Sequence, residues 1–360
     1  VTSPKKFIIG HDLLPQLHDH VKDFGDNALL VSDEFILERV REEALAGLLQ
    51  AGLKGAVEKF NYECTDIEIR RLCDLAEHNM AALGLDQARI VCGDGVEYLR
   101  QMGPVDFIYL DPARRDEHGS RTYAIEDCTP NVLELRDLLL AKSQYTLVKL
   151  SPMLDWRKAV ADFDGAVREV HIVATGNECK ELLLVLGRPA QANARDGVDG
   201  AGSHRRPAPH VYCVNDDQRI DYDSAAYTQG LRIGGKPLPE AKNYLYEPNA
   251  SIMKAGCFDL VEERFGVTQV GPSSHLFVSA TPVADFPGRG FAIEAIGGMN
   301  KKDIQRLLNG TKQANIAVRN FPLTAPQLRK KLKLADGGPV YLFGTTMQGC
   351  DHVLLRTSKI

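Results

Sequence analysis

The chain has 360 residues, of which 44% are hydrophobic and 25% charged, and a formal net charge of −5. That length predicts two domains or three, and the composition excludes wholesale disorder. No run approaches the roughly 18 apolar residues of a membrane span, no apolar signal region follows residues 1–6, and none of the eight cysteines forms a C-x-x-C pair, so the expectation is a cytoplasmic protein with reduced thiols, no membrane contact and no metal site.

Through residue 189, short apolar runs alternate with helical periods. The runs at 28–32, 56–60, 88–92, 105–110, 145–150, 169–174 and 181–186 suit buried strands. The clearest helix is predicted over 66–83, where Ile69, Leu72, Cys73, Ala76, Met80 and Leu83 recur at spacings of three and four. Thr65 and Glu68 form a capping-box start for it. Thr129 and Pro130 read as the N-cap and first residue of a further helix carrying Leu133, Leu135, Leu138 and Leu139. This alternation predicts an α/β fold, a Rossmann-like, doubly wound and mostly parallel sheet. The last two strands are joined by only a few residues around Gly176 and Asn177. That is too short for a crossover helix, so the last strand should pair antiparallel.

Composition changes at 189–210, where Gly, Pro, Ala and Ser replace any periodic pattern, as in a linker or long loop. Beyond it, strands are expected at 211–214, 276–278, 290–296, 316–319 and 340–345, and helices near 250–265, 300–309 and 324–334. The predicted organisation is a Rossmann-like domain over 1–189 and a smaller α+β domain over 210–360. Charge is uneven as well. Residues 293–360 hold eleven Lys/Arg against four acids, a local +7 on a chain that is otherwise −12. A basic region on an acidic body points to a polyanion such as RNA, and a solvated helix face is the other reading.

Ligands in such sheets bind beyond the C-terminal strand ends. The strand at 28–32 runs into Asp33, Glu34 and Phe35 with no G-x-G-x-x-G and no P-loop. The run at 88–92 ends in Gly93, Asp94 and Gly95. An acid between glycines can accept a hydrogen bond from an adenine amino group while leaving room for the ring, although a plain turn uses the same residues. The run at 105–110 ends in Asp111, Pro112, Ala113, Arg114, Arg115 and Asp116. Asp-Pro directly after a buried strand is a stiff position of the kind that sites use, and the arginines could grip phosphates. The next strand ends in Lys149, Leu150, Ser151, Pro152 and Met153, where Ser-Pro reads as a loop turn, the other reading being that it shapes the substrate mouth. Neither H-E-x-x-H nor G-x-S-x-G is present.

At these strand ends the chain resembles class I S-adenosylmethionine-dependent methyltransferases, and within them a bacterial group of RNA methyltransferases with a THUMP-like C-terminal domain. The strings carrying the likeness are AEHNMAALGL (76–85), IVCGDGVEYL (90–99), DFIYLDPARRDEHG (106–119), VKLSPMLD (148–155), EVHIVATGNECKELLLVLG (169–187), YLYEPNASIMKAGCFD (244–259), DFPGRGF (285–291) and KQANIAVRNFP (312–322). The resemblance implies that Asp94, with Gly93 and Gly95, lies by the adenine of the methyl donor. It also implies that Asp111, Pro112 and Arg114 form the catalytic loop. Amino-methylating relatives usually carry [DN]-P-P-[FY] there. Ala113 and Arg114 replace the second Pro and the aromatic, which leaves the class of target atom open.

Residues 1–76 are similar to something else. SPKKFIIGHDLLPQLHDHVKDFGDNALLVSDEF and FNYECTDIEIRRLCDLAE resemble the N-terminal part of glycerol dehydrogenases of the iron-containing alcohol dehydrogenase family, which implies Asp33 near an NAD adenosine. The pyrophosphate loop and metal ligands of that family have no counterpart in the chain. The sequence therefore reads as a chimera joined near 74–78, with the Gly-rich donor loop absent. The leading expectation is an S-adenosylmethionine-dependent methyltransferase acting on rRNA or tRNA, impaired by the missing loop. Arg115, Arg329, Lys330, Lys331 and Lys333 are the expected RNA contacts. The alternatives are a catalytically inert RNA-binding protein and an NAD-linked polyol dehydrogenase fragment.

Overall fold

A computed structural model describes residues 41–42, 44–46, 48–50, 52, 66–113, 125–188, 208–226, 238–240, 242–349 and 351–360, and the backbone of 27–33 and 54–60. Two compact units divide the chain, Val1–Gly95 and Val96–Ile360.

In the first unit, β1 (Asn27–Asp33) and β2 (Lys54–Phe60) pair in parallel with Asn27 opposite Lys54. Helix α1 (Asp66–Ala82) follows. Of its predicted apolar stripe, Ile69, Cys73, Ala76 and Met80 are half-buried, while Leu72 and the adjoining Leu83 are exposed. Thr65 of the expected capping box lies outside the described residues; Glu68 holds the Arg71 guanidinium. The expected strand at 88–92 does not form. A strand needs a neighbour to satisfy its ladder; here Val91 is 44% exposed, and the segment has no strand partner among the described residues.

The second unit opens with α2 (Gly95–Gln101), β3 (Val105–Leu110), a 3-10 turn at Ile125–Asp127, α3 (Val132–Lys142) and β4 (Ser143–Leu150). The helix expected to start at Pro130 begins at Val132. Asn131 is its cap, because the Asn131 side chain accepts from the Leu133 N–H while the Thr129 backbone pairs with Ala113. Then come α4 (Trp156–Asp162), β5 (Val167–Thr175), β6 (Glu178–Gly187), β7 (His210–Asn215) and β8 (Gln218–Asp223).

Six strands form one sheet in the order β3-β4-β6-β5-β7-β8. Four of them (β3, β4, β5, β7) run in one direction, so the sheet is mostly parallel. Two strands run the other way: β6, inserted between β4 and β5, and β8 at the edge beside β7. Gly176 (φ +56°) and Asn177 (φ +63°) form the hairpin turn of β6. Two consecutive left-handed residues match the right-handed strand twist, and Asn and Gly tolerate that conformation. β7 and β8 follow the compositional break at 189–210 yet extend this same sheet, with β7 parallel to β5.

Beyond lie β9 (Tyr244–Pro248), α5 (Ala250–Ala255), α6 (Phe258–Phe265), β10 (Thr268–Gln269), β11 (Phe277–Ser279), β12 (Gly288–Gly297), α7 (Lys301–Leu308), β13 (Asn315–Arg319), α8 (Ala325–Leu332), β14 (Val340–Thr346) and β15 (His352–Lys359). The helix expected near 250–265 is two helices, split at Gly256 (φ +66°). A left-handed glycine there caps α5. Thr324 and Gln327 close a capping box on α8. The sheet order is β10-β11-β9-β12-β15-β14-β13. Glu247 on β9, only 3% exposed, bonds both Arg289 and Arg319, which ties the end of β13 to β9.

One apolar core runs from Leu99, Leu139 and Leu184 through Phe163 to Tyr246, Ile252, Val261 and Phe277. It therefore joins the six-stranded sheet to the segment around α5 and α6. A separate core of Leu307, Leu328, Leu332, Leu342 and Leu354 lies beneath α7 and α8.

Candidate functional site

The C-terminal ends of β3 and β4 lie side by side, with Tyr109 opposite Leu147 and Leu110 opposite Val148. Asp111 follows β3 and Lys149 belongs to the end of β4. Alternation along each strand places both on one face of the sheet. The Lys149 ammonium donates to Asp111 Oδ2 at 2.8 Å and lies 3.7 Å from Glu181 Oε1 on β6. The Asp111 hydrogen bond and the Glu181 charge, working against partial burial, raise the Lys149 pKa above its ordinary value. The ammonium is therefore fixed as a cation and cannot serve as a general base near neutrality. Asp111 remains 41% exposed at its side chain, so solvent or a ligand can reach the carboxylate.

Pro112 is buried, and Ala113 exchanges backbone hydrogen bonds with Thr129 at 2.9 and 3.2 Å. These anchors hold the base of the loop that leaves β3 and fix where Asp111 starts. Ser151 makes the expected turn, its carbonyl accepting from the Leu154 N–H at 3.2 Å. The sequence reading passed over Lys149 and Glu181. A signal was present: Lys149 is a lone cation in the apolar run Leu147-Val148-Lys149-Leu150, and Glu181 opens the run 181–186. A charge inside a buried-strand pattern needs a partner, and here each supplies the other.

The other expected residues fall as follows. Gly93 and Asp94 precede α2, and Gly95 is its first residue. A Cβ added at Gly93 or Gly95 would meet only open space, and neither has a positive φ, so nothing in the described fold itself demands glycine there. Asp33 ends β1, and its side chain lies outside the described residues, as do Arg114 and Arg115. Arg329 is engaged in the fold: it donates to the Ala314 carbonyl at 3.1 Å and pairs with Asp336 at 2.6 Å. Lys330, Lys331 and Lys333 are exposed at the C-terminal end of α8, where cations also favour the helix dipole. Among the described residues no cluster of His, Cys, Asp and Glu could hold a metal ion, and no helix is long and apolar enough to cross a membrane.

Comparison with known proteins places these features. Residues 244–287 match a ferredoxin-like domain, and residues 288–359 form a THUMP-like domain at the C terminus. The fold is similar to a solved candidate methyltransferase from Porphyromonas gingivalis W83, at 29% identity and a TM-score of 0.65, covering 96% of this chain and 80% of that one. A segment is also similar to glycerol dehydrogenases. The Pseudomonas putida enzyme is 37% identical over 79 residues, 22% of each chain. The Citrobacter freundii enzyme is 22% identical over 226 residues, 55% of this chain and 60% of that enzyme. The chain thus spans between about a fifth and three fifths of the length of these curated relatives. The two likenesses together bear out the reading of a composite sequence.

Proposed function

We propose that the chain is an S-adenosylmethionine-dependent methyltransferase acting on RNA, with the donor chemistry in residues 1–189 and RNA contacts from Arg114 and Arg115 as well as from 210–360. The observation that carries this reading is the Asp111–Lys149–Glu181 array at paired strand ends, in a chain whose fold follows a candidate methyltransferase over 96% of its length. The THUMP-like domain and the +7 region support RNA as the substrate class. S-adenosylmethionine would supply an electrophilic methyl group. Asp94 would face its adenine, and the open space at Gly93 and Gly95 fits the approach of a ring.

The protein's share of methyl transfer is mostly positioning. Lys149 holds Asp111 through Oδ2, and Oδ1 would accept a hydrogen bond from the target N–H or O–H. Pro112 and the Ala113–Thr129 pair fix the start of that loop. Arg114, Arg115, Lys330, Lys331 and Lys333 would contact phosphates.

Calorimetry with S-adenosylmethionine tests the donor site. Saturable heat is expected, weaker than for a chain with a glycine loop after β1; no heat at millimolar donor would sink the catalytic claim. A second reading, an RNA-binding protein without methyl transfer, rests on the absence of that loop from the sequence. Retention of RNA without transfer of label from the donor would favour it. A polyol dehydrogenase predicts NADH absorbance with glycerol and NAD, and a flat trace is expected.

Replacing Lys330, Lys331 and Lys333 together by Gln tests the phosphate contacts. Each lost contact should flatten the slope of log K against log salt by about 0.7 on single-stranded RNA. An unchanged slope would return these lysines to a helix-dipole role alone.

A further inference from the structure

The segment that follows β4 forms one wall of a cavity of about 340 Å³. Met153, Trp156 and Arg157 line that wall, and Lys254, Phe258 and His275 line the ferredoxin-like side. The volume lies in the range of small-ligand sites. We propose that this cavity binds one nucleotide of the RNA, its phosphate on Arg157 and Lys254 and its base against the Phe258–His275 stack. The inference rests on the reading of the chain as acting on RNA and adds a specific flanking-nucleotide subsite to it.

The charge balance favours a phosphate. Arg157 and Lys254 are both half-buried, and the one acid in the lining, Asp155, is engaged by the N–H groups of Arg157 and Lys158 at 2.8 and 3.4 Å as the cap of α4. Two cations that converge on one cavity attract an anion more strongly than either does alone. The aromatic groups favour a base. Phe258 and His275 stack with ring centroids 4.6 Å apart, and Arg157 sits 4.3 Å above the Trp156 ring. Planar faces of this kind accept any base.

His275 is also built into place. Its φ is +52°, in the left-handed region that few non-glycine residues occupy. The preceding Ser274 is fully buried and bonds the Gly271 carbonyl at 2.6 Å and the Gly271 N–H at 3.1 Å, locking the loop. Burial, with the Arg319 charge behind it, pushes the His275 pKa down, so the ring stacks as a neutral imidazole near pH 7. The position suits a flanking nucleotide. Met153, 77% exposed in the cavity lining, is four residues along the chain from Lys149, so the cavity and the Asp111–Lys149 pair are both built on the segment at the end of β4.

Trp156 is the only tryptophan in the chain and is packed in the cavity wall, its indole N–H donating to the Ala255 carbonyl. Its fluorescence therefore reports ligand entry without any need for methyl transfer. Titration of the full chain with uridine 5′-monophosphate should quench or shift that emission saturably. Uridine alone and inorganic phosphate alone should each bind about tenfold or more weaker. Lys254→Gln should weaken the nucleotide about tenfold, with unchanged circular dichroism. No saturable response at millimolar nucleotide overturns the proposal. So does a response matched by inorganic phosphate, which marks a bare anion site, or by uridine, which removes the phosphate role. Nucleotide binding in a chain that transfers no methyl group supports the subsite and overturns the catalytic reading, so the two failures are distinguishable.

Discussion

Asp111→Ala should lower kcat/KM for RNA methylation by about 10³-fold, with donor affinity unchanged by calorimetry. The carboxylate is the group at the β3 end that can accept a hydrogen bond from a target N–H or O–H, and its removal costs orientation of the nucleophile. The substitution also strips Lys149 of its 2.8 Å partner, leaving Glu181 at 3.7 Å to take over the ammonium. That shift draws the Lys149 side chain toward β6 and away from the target. Asp111→Asn should retain more activity than Asp111→Ala, because the amide oxygen still accepts while the charge is gone. The loss should fall mainly on kcat, since the interaction orients the reacting atom rather than holding the rest of the RNA. An Asp111→Ala protein that methylates RNA at the wild-type rate would remove this loop from the mechanism.

Leu184→Ala should destabilise the second unit by about 3 kcal/mol, measured as a shift of the urea midpoint at constant slope. Leu184 is fully buried on β6, opposite Val148 on β4 and Val170 on β5. Truncation leaves a void at the centre of the six-stranded sheet, where neighbouring strands cannot collapse without breaking their ladders. Methylation should fall only in proportion to unfolded protein. A loss near zero would mean that the core beside β6 repacks freely.

Much of the second unit could be read from local patterns. The strands at 105–110, 145–150, 169–174 and 181–186 all form, and the turn at Gly176 and Asn177 makes the antiparallel hairpin expected of so short a connection. Asn and Gly at a turn and apolar runs in strands act through neighbours in sequence, so their meaning survives without a fold. The strand expected at 88–92 fails for the opposite reason. Its residues are apolar enough, but a strand is a property of two segments, and the described structure offers it no partner. Asp111 was legible because a turn after an apolar run is local, although Val105, Phe107 and Tyr109 of that run are exposed in the described structure and not buried as expected. Lys149 and Glu181 were legible only as charges in apolar runs that needed a partner; which partner was decided when β6 inserted beside β4 and brought a distant carboxylate to the same ammonium.

By itself the sequence determined the α/β class, the basic character of 293–360, the absence of a glycine loop after β1 and the likeness of the chain to two groups of proteins. Each of these depends on residue type and near spacing. Only the tertiary structure decided that β7 and β8, beyond the break at 189–210, complete the six-stranded sheet, and that one core continues from Leu184 into Ile252 and Phe277. Only it showed Arg329 bound into the fold while Lys330, Lys331 and Lys333 stay exposed. The physical reason is common to all three. Which strand edge is open, which apolar face is covered and which charge is already paired are questions about segments far apart in sequence, and packing settles them together.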